Sequence, residues 1–125
     1  MSVIEPFSIA IDRSDPVVLL TARGEVDAST VGHLGDALER AIVDHERHVV
    51  LDADGITFID STGVSCLVSG MRRLNRTRRR LALACRSGSP LGRALEMTGL
   101  DHSFDIHTSA DDAVSALATA PLLGR

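Results

Sequence analysis

The sequence predicts an α/β fold, with a mixed, mostly parallel β-sheet, an N-terminal hairpin and about four α-helices packed on the sheet. Three observations support this prediction: an alternating segment near the N-terminus with a return strand, short aliphatic runs typical of buried strands, and amphipathic helical stripes between those runs. A helix between two strands returns the chain in the same direction, so strands separated by helices are expected to pair in parallel.

The first predicted element is the β-hairpin. Phe7, Ile9 and Ile11 alternate with polar or small residues, which is the period of a half-buried strand. The Ser-Asp-Pro sequence at residues 14–16 supplies turn chemistry. Residues 17–22 are therefore predicted to form the returning strand.

The middle of the chain is predicted from changes of hydrophobic period. Apolar residues recur at three- and four-residue steps over residues 28–42 and again over residues 64–74, as they do on one face of a helix. Asp27 or Ser29 is the expected cap of the first of these helices. The aliphatic residues 49–51 predict a buried strand between them, followed by a loop over residues 52–63.

The C-terminal third predicts two more strands and two more helices. Residues 81–85 are typical of an interior strand, and Ser89 with the proline after it predicts the start of a helix that ends at Gly99. Residues 104–106 predict a last short strand. Ser109 is the expected cap of the final helix.

Length and composition limit the function classes. A chain of 125 residues is expected to form a single domain over residues 1–125, with its core at about 6–118. The net charge of −4 argues against a general nucleic-acid binder, because neutralising phosphates requires a surplus of positive charge, although local basic patches stay compatible with it. Without an apolar run of the ~20 residues needed to cross a bilayer, no membrane association and a cytoplasmic location are expected.

The cysteines and histidines do not predict a metal site. Cys66 and Cys85 lie within apolar stretches and lack C-x-x-C spacing, which favours buried thiols. A redox pair stays open as the alternative, because only the positions of the two sulfur atoms decide it. His45 and His48 are three residues apart but lack an evident third ligand, so a surface role is expected for them.

The most informative stretch is Phe-Ile-Asp-Ser-Thr-Gly at residues 58–63. Its carboxylate and two hydroxyls lie where a loop is expected to enter the second helix. Helix initiation alone explains this composition, since Asp, Ser and Thr are common caps. Alternatively, the exposed hydroxyl of Ser61 could carry a phosphate facing free N–H groups at the helix N-terminus. Such a phosphate would add about −1.5 to −2 charges beside Asp60 and so alter a docking surface.

Four ordered motifs resemble the signatures of STAS domains, and specifically those of the single-domain anti-sigma-factor antagonists. They are Gly-Glu-Val-Asp at 24–27, Val-Val-Leu-Asp at 49–52, Phe-Ile-Asp-Ser-Thr-Gly at 58–63 and Met-Thr-Gly-Leu at 97–100. The resemblance spans about residues 7–117. It implies the STAS fold for this chain.

The resemblance also implies a phosphorylation switch. It assigns the phosphoacceptor to Ser61, with Thr62 as second choice, and the kinase to an anti-sigma factor with serine kinase activity. The unphosphorylated form would bind that factor and release the sigma factor, and a serine phosphatase would restore it after phosphorylation. Asp27 and Asp60 match acidic positions beside the family's phosphorylation site, where they would shape the partner-binding surface with Thr62 and Gly63. Capping and turn formation explain the two acidic residues equally well.

The sequence is also compatible with other functions. The runner-up is a STAS domain that is never phosphorylated and acts as a scaffold or as a nucleotide- or small-ligand-sensing module. An enzyme is not expected, since the chain has no G-x-S-x-G elbow and no histidine tied to Ser61 as a base. Neither a cofactor nor a metal is expected. The protein is expected to be a monomer. Six arginines between residues 72 and 80 form either a solvated helix end or a contact patch for an acidic partner or phosphates.

Overall fold

The computed structural model describes residues 7–13, 16–44 and 46–120. Its strands are β1 (Ser8–Asp12), β2 (Val18–Val26), β3 (Val49–Ile59), β4 (Leu81–Ala84) and β5 (Asp105–His107). Its α-helices are α1 (Val31–Asp44), α2 (Ser61–Arg76), α3 (Pro90–Thr98) and α4 (Ala110–Ala118), and a short 3-10 turn (Leu100–His102) follows α3. Two residues of the predicted hairpin turn, 14 and 15, lie outside the described residues.

The five strands form one sheet whose spatial order is the chain order, β1-β2-β3-β4-β5. β1 is antiparallel to β2, and the other three pairings are parallel. The predicted α/β fold, with an N-terminal hairpin, a mostly parallel sheet and four helices, is therefore confirmed. Each of α1, α2 and α3 returns the chain to the strand next to the one it left, so neighbouring strands end at the same edge.

Two aliphatic layers hold the helices on the sheet. Leu20, Leu51 and Leu83 point to the face covered by α1, α2 and α3 and are fully buried there. Val50 and Ala82 point to the opposite face, where they pack with Leu117 of α4. Both faces of the central strands are covered, which explains why their sequence is continuously apolar. Each fully buried leucine or valine contributes about 1.5–3 kcal/mol of transfer free energy.

The predicted loop over residues 52–63 is wrong, because β3 continues to Ile59 and β2 continues to Val26. The parallel register between these strands shifts twice, and each shift adds one residue to β3. The buried residues Ala53, Ile56 and Ile59 consequently fall three apart. Bulges of this kind remove the period-two alternation by which a strand is identified in a sequence.

The helix ends follow the predicted capping residues at most positions. Ser89 caps α3, Gly99 ends it in the left-handed conformation, and Ser109 caps α4, all as predicted. The two helices with apolar stripes begin elsewhere: α1 begins at Val31 and α2 begins three residues earlier than expected, at Ser61. Among the described residues, no helix combines the length and the apolar character needed to cross a membrane.

Candidate functional site

The candidate site lies where β2 and β3 end side by side. Val26 is the pairing partner of Ile59, and the Asp60 amide donates a hydrogen bond of 3.1 Å to the Val26 carbonyl. The next residue on each chain segment is acidic, Asp27 after β2 and Asp60 after β3. Parallel pairing therefore brings both carboxylates and Ser61 to the carboxyl-end edge of the sheet, which is the edge where ligands bind in open α/β folds.

Asp60 is the N-cap of α2. Its Oδ1 accepts hydrogen bonds from the Thr62 amide at 3.0 Å, from the Gly63 amide at 3.3 Å and from the Thr62 hydroxyl at 2.5 Å. The bond from the Thr62 hydroxyl is the main reason that the pKa of Asp60 is lowered, and the negative charge of Asp27 opposes that shift. The predicted capping role of Asp60 is thus confirmed.

Asp27 organises the turn that leads into α1. Its Oδ1 accepts from the Ser29 hydroxyl at 2.7 Å, from the Ser29 amide at 2.9 Å and from the Thr30 amide at 3.2 Å. The Ser29 hydroxyl is the largest cause of the lowered pKa of Asp27. Of the two residues predicted as possible caps, Asp27 is the acceptor, and Ser29 donates to it. The turn holds the Asp27 carboxylate in place beside the start of α2.

The two hydroxyls of the site differ in their surroundings. Ser61 is the first residue of α2 and is exposed, and its hydroxyl forms no hydrogen bond within the described ranges. The Thr62 hydroxyl is held by Asp60. Asp60 already accepts from the Thr62 and Gly63 amides, so these two N–H groups are engaged at the helix start where a phosphate on Ser61 would lie. The charge of that phosphate would also lie next to the Asp60 carboxylate.

Gly63 sets how closely α2 approaches the sheet. It is buried, and a Cβ at this position would lie 2.6 Å from Ile59 Cγ1 and 2.7 Å from Val26 Cγ1. Both of those atoms belong to stiff, β-branched side chains at the ends of the paired strands. The absence of a side chain at Gly63 therefore lets the first turn of α2 rest on β2 and β3.

A groove between α2 and α3 begins at Ser61 and has a cavity volume of about 560 Å³. Its lining includes the apolar residues Val64, Val68 and Leu100, the hydroxyls of Ser65 and Ser69, and Arg72. Phe58 and Met97 lie at the same end of the molecule with 49% and 85% of their surfaces exposed. Sequence reasoning missed this groove, because it exists only once α3 packs beside α2.

The arginine run is not one continuous surface. Arg79 is buried, and its guanidinium donates to the Ile42 carbonyl at 2.8 Å and to the Thr77 hydroxyl at 2.9 Å. It thereby satisfies a carbonyl in the last turn of α1, which has no partner inside the helix.

Two other arginines of the run form surface ion pairs: Arg73 with Glu39 and Arg80 with Asp105. The remaining three, Arg72, Arg76 and Arg78, are exposed.

Both cysteines are free thiols. Cys85 is buried and Cys66 is partly buried, and burial raises the pKa of each thiol, so they behave as packing residues as predicted.

The surface role expected for His48 is wrong. The His48 side chain is buried, and its Nδ1 accepts a hydrogen bond from the Arg80 amide at 3.0 Å. His45 lies outside the described residues. Within the described ranges no three metal-binding side chains cluster.

Replacing Asp60 by alanine is expected to lower the free energy of unfolding, because two amides and one hydroxyl lose their acceptor. Asp60→Asn keeps an acceptor oxygen and should lose less. The folded-state pKa lies below its usual 3.8, so the carboxylate's contribution is present above that pH and is lost as pH falls through the lowered pKa. Urea titrations from neutral pH to about pH 3 should show the wild type approaching Asp60→Ala in stability. A difference that stays constant with pH would contradict this role.

Comparison with known proteins places the chain in a family. The model of the STAS domain matches residues 8–113. An anti-sigma-B factor antagonist from Staphylococcus aureus is 31% identical over 88 residues, which cover 70% of this chain and 81% of that protein. The chain therefore belongs to the STAS domain family, and its resemblance to the anti-sigma-factor antagonists of that family is confirmed.

Solved structures agree with this assignment. The crystal structure of an anti-sigma factor antagonist from Mycobacterium paratuberculosis matches with a TM-score of 0.83 and 25% identity, covering 94% of this chain and 98% of that one. The Bacillus cell fate determinant SpoIIAA in its phosphorylated form matches with a TM-score of 0.63 and 21% identity, covering 89% and 98%. The second likeness is one of fold. Together they confirm the STAS fold predicted from the four motifs.

Proposed function

We propose that this chain is an anti-sigma-factor antagonist whose binding is switched by phosphorylation of Ser61. In its unphosphorylated form it binds an anti-sigma factor with serine kinase activity and so releases the sigma factor. Phosphorylation of Ser61 by that factor ends the binding, and a serine phosphatase restores it. The protein works in the cytoplasm as a monomer and is not an enzyme.

The observation that carries this proposal is the arrangement of hydroxyls at the start of α2. Ser61 presents an exposed hydroxyl without an internal partner, whereas the neighbouring Thr62 hydroxyl is bonded to Asp60. Phosphorylating Thr62 would remove a hydrogen bond of the helix cap. Phosphorylating Ser61 leaves the cap intact, so the modification changes the surface and not the fold.

The surroundings of Ser61 explain why a phosphate there should end binding. Asp60 and Asp27 already carry negative charge at this edge, and the phosphate would add about −1.5 to −2 more. The exposed side chains of Phe58 and Met97 lie next to this edge, near the end of β3 at Ile59. An interface that buries this apolar surface would have to bury the phosphate as well, and burying a charge without a partner is unfavourable.

The relatives support the same function. The Staphylococcus aureus relative is an anti-sigma-B factor antagonist, and SpoIIAA has been solved in a phosphorylated form while keeping the fold of this chain. Thr62 and Gly63 complete the site by holding the cap and the position of α2, and Asp27 adds charge to the surface that the kinase meets. None of these roles requires a cofactor or a metal.

The test is incubation of the purified protein with ATP and a panel of purified anti-sigma factors of the serine kinase type. Intact-mass analysis should show one added phosphate on the wild type and none on Ser61→Ala. Thr62→Val is the matched control, because it removes the other hydroxyl of the site and keeps Ser61. It should still accept the phosphate.

Two results would contradict phosphorylation of Ser61. A phosphate that persists on Ser61→Ala and vanishes on Thr62→Val would move the acceptor to Thr62. No phosphate on any variant, with active kinases that phosphorylate a known antagonist in parallel, would favour the unphosphorylated scaffold or ligand-sensing module.

A further inference from the structure

The groove between α2 and α3 carries opposite charges at its two ends. Asp60 and, beside it, Asp27 lie at the Ser61 end, and Arg72 lines the groove toward the C-terminus of α2. Ser61 and Arg72 are eleven residues apart on one helix, which corresponds to about 16 Å along its axis. That length matches about three turns of a bound helix.

We propose that this groove binds an amphipathic helix of the anti-sigma factor, with an acidic side chain of that helix paired to Arg72. The inference rests on the proposed function, because it assigns the partner's chemistry and its orientation at the same surface. Arg72 then acts as a specificity-determining residue that lies far from the phosphorylation site.

The apolar part of the surface requires an apolar face on the partner. Val64 and Val68 lie one helical turn apart on α2 and line the groove with Leu100. Met97 on α3 is 85% exposed at its edge, and a methionine adapts its shape to an apolar partner. A groove of this kind between two helices suits an amphipathic helix, which places side chains three and four residues apart into it.

The charges decide how that helix is oriented. Of the arginines between residues 72 and 80, Arg73, Arg79 and Arg80 are engaged within the protein. Within the described ranges Arg72 forms no ion pair, and Arg76 continues the same face of α2 one turn further on. An acidic side chain of the bound helix could pair with the guanidinium group of Arg72. At the Ser61 end of the groove, the same side chain would be repelled by Asp60.

The two ends of the groove should act independently. Phosphorylation of Ser61 places charge and bulk at the acidic end, about 16 Å from Arg72. Salt at physiological concentration screens exposed charges over about 8 Å, so the phosphate has little direct effect on the ion pair. Substitutions at Ser61 and Arg72 are therefore expected to combine additively.

The test is titration calorimetry of the unphosphorylated protein with the anti-sigma factor that phosphorylates it. Arg72→Glu is expected to weaken binding at least about tenfold, and Arg72→Gln less, since like charges in contact are strongly unfavourable. Arg40→Glu is the matched control, because Arg40 is an exposed helical arginine on α1, which packs against a different face of α2. It should bind as tightly as the wild type.

The salt dependence separates an ion pair from a structural effect. Wild-type affinity should fall as salt is raised, and Arg72→Gln should show a weaker fall, because one screened pair is missing. Reversing the paired acidic residue of the factor to lysine should restore binding of Arg72→Glu. Arg72→Glu and Arg72→Gln should both unfold at the same temperature as the wild type.

Any one of four results would overturn the inference. If Arg72→Glu binds like the wild type, or if Arg40→Glu loses as much affinity as Arg72→Glu, Arg72 does not pair with an acidic side chain of the partner. The proposed function would then still stand. If Arg72→Gln keeps the wild-type salt dependence, Arg72 forms no ion pair with the partner. If the wild type neither binds the factors nor accepts a phosphate, the proposed function fails and the inference with it.

Discussion

Ser61→Glu is expected to weaken binding to the anti-sigma factor at least about tenfold, while Ser61→Ala binds as tightly as the unmodified protein. The glutamate adds a negative charge beside Asp60 and Asp27 on a surface that binding must desolvate, and like charges in contact there are strongly unfavourable. Titration calorimetry of the three proteins with the same factor measures this directly. Since a tenfold change corresponds to about 1.4 kcal/mol, it is well resolved.

The matched control is Ser115→Glu. Ser115 is an exposed serine on α4, which packs on the opposite face of the sheet, so this substitution adds the same charge without touching the candidate site. It should leave the affinity unchanged. Equal affinities for Ser61→Glu and Ser61→Ala would remove Ser61 from the interface, and an equal loss in Ser115→Glu would indicate an effect of net charge alone.

Gly63→Ala is expected to destabilise the protein by about 1–3 kcal/mol, which is the typical effect of overpacking a core, and Gly63→Val by more. The new Cβ would lie within 2.9 Å of three atoms of Ile59 and Val26, so α2 must move away from the sheet or both strand ends must shift. Either movement displaces Ser61. Urea unfolding followed by circular dichroism gives the free energy of unfolding for each variant.

Gly32→Ala provides the comparison for the same substitution without the contact. Gly32 lies in the first turn of α1, and a Cβ there would have no neighbouring atom within 4 Å. Alanine is the better helix former, and this variant is expected to be as stable as the wild type or more stable by up to about 1 kcal/mol. A similar loss at both positions would show that close packing at Gly63 is not the cause.

The fold class was predictable because hydrophobic periodicity and local capping agree along most of this chain. The aliphatic run at the start of β3 and the capping serines Ser89 and Ser109 are local signals, and the structure retains each of them. The length of β3 was not predictable. Its second half depends on two register shifts against β2, and such shifts follow from the pairing of two strands and leave no regular pattern in either.

The features of the candidate site also fall into those that the sequence determined and those that the tertiary structure decided. The sequence by itself determined the residues 58–63, their caps and the exposure of a hydroxyl at a helix start, because these are short-range properties. The family resemblance indicated that Asp27 and Asp60 share a site, but only the tertiary structure supplies the physical reason, since parallel pairing brings two strand ends together that are far apart in the chain. It also decided that Arg79 and His48 are buried and that α3 completes a groove with Arg72. Burial and charge balance depend on which elements pack together, and that information is distributed over the whole chain.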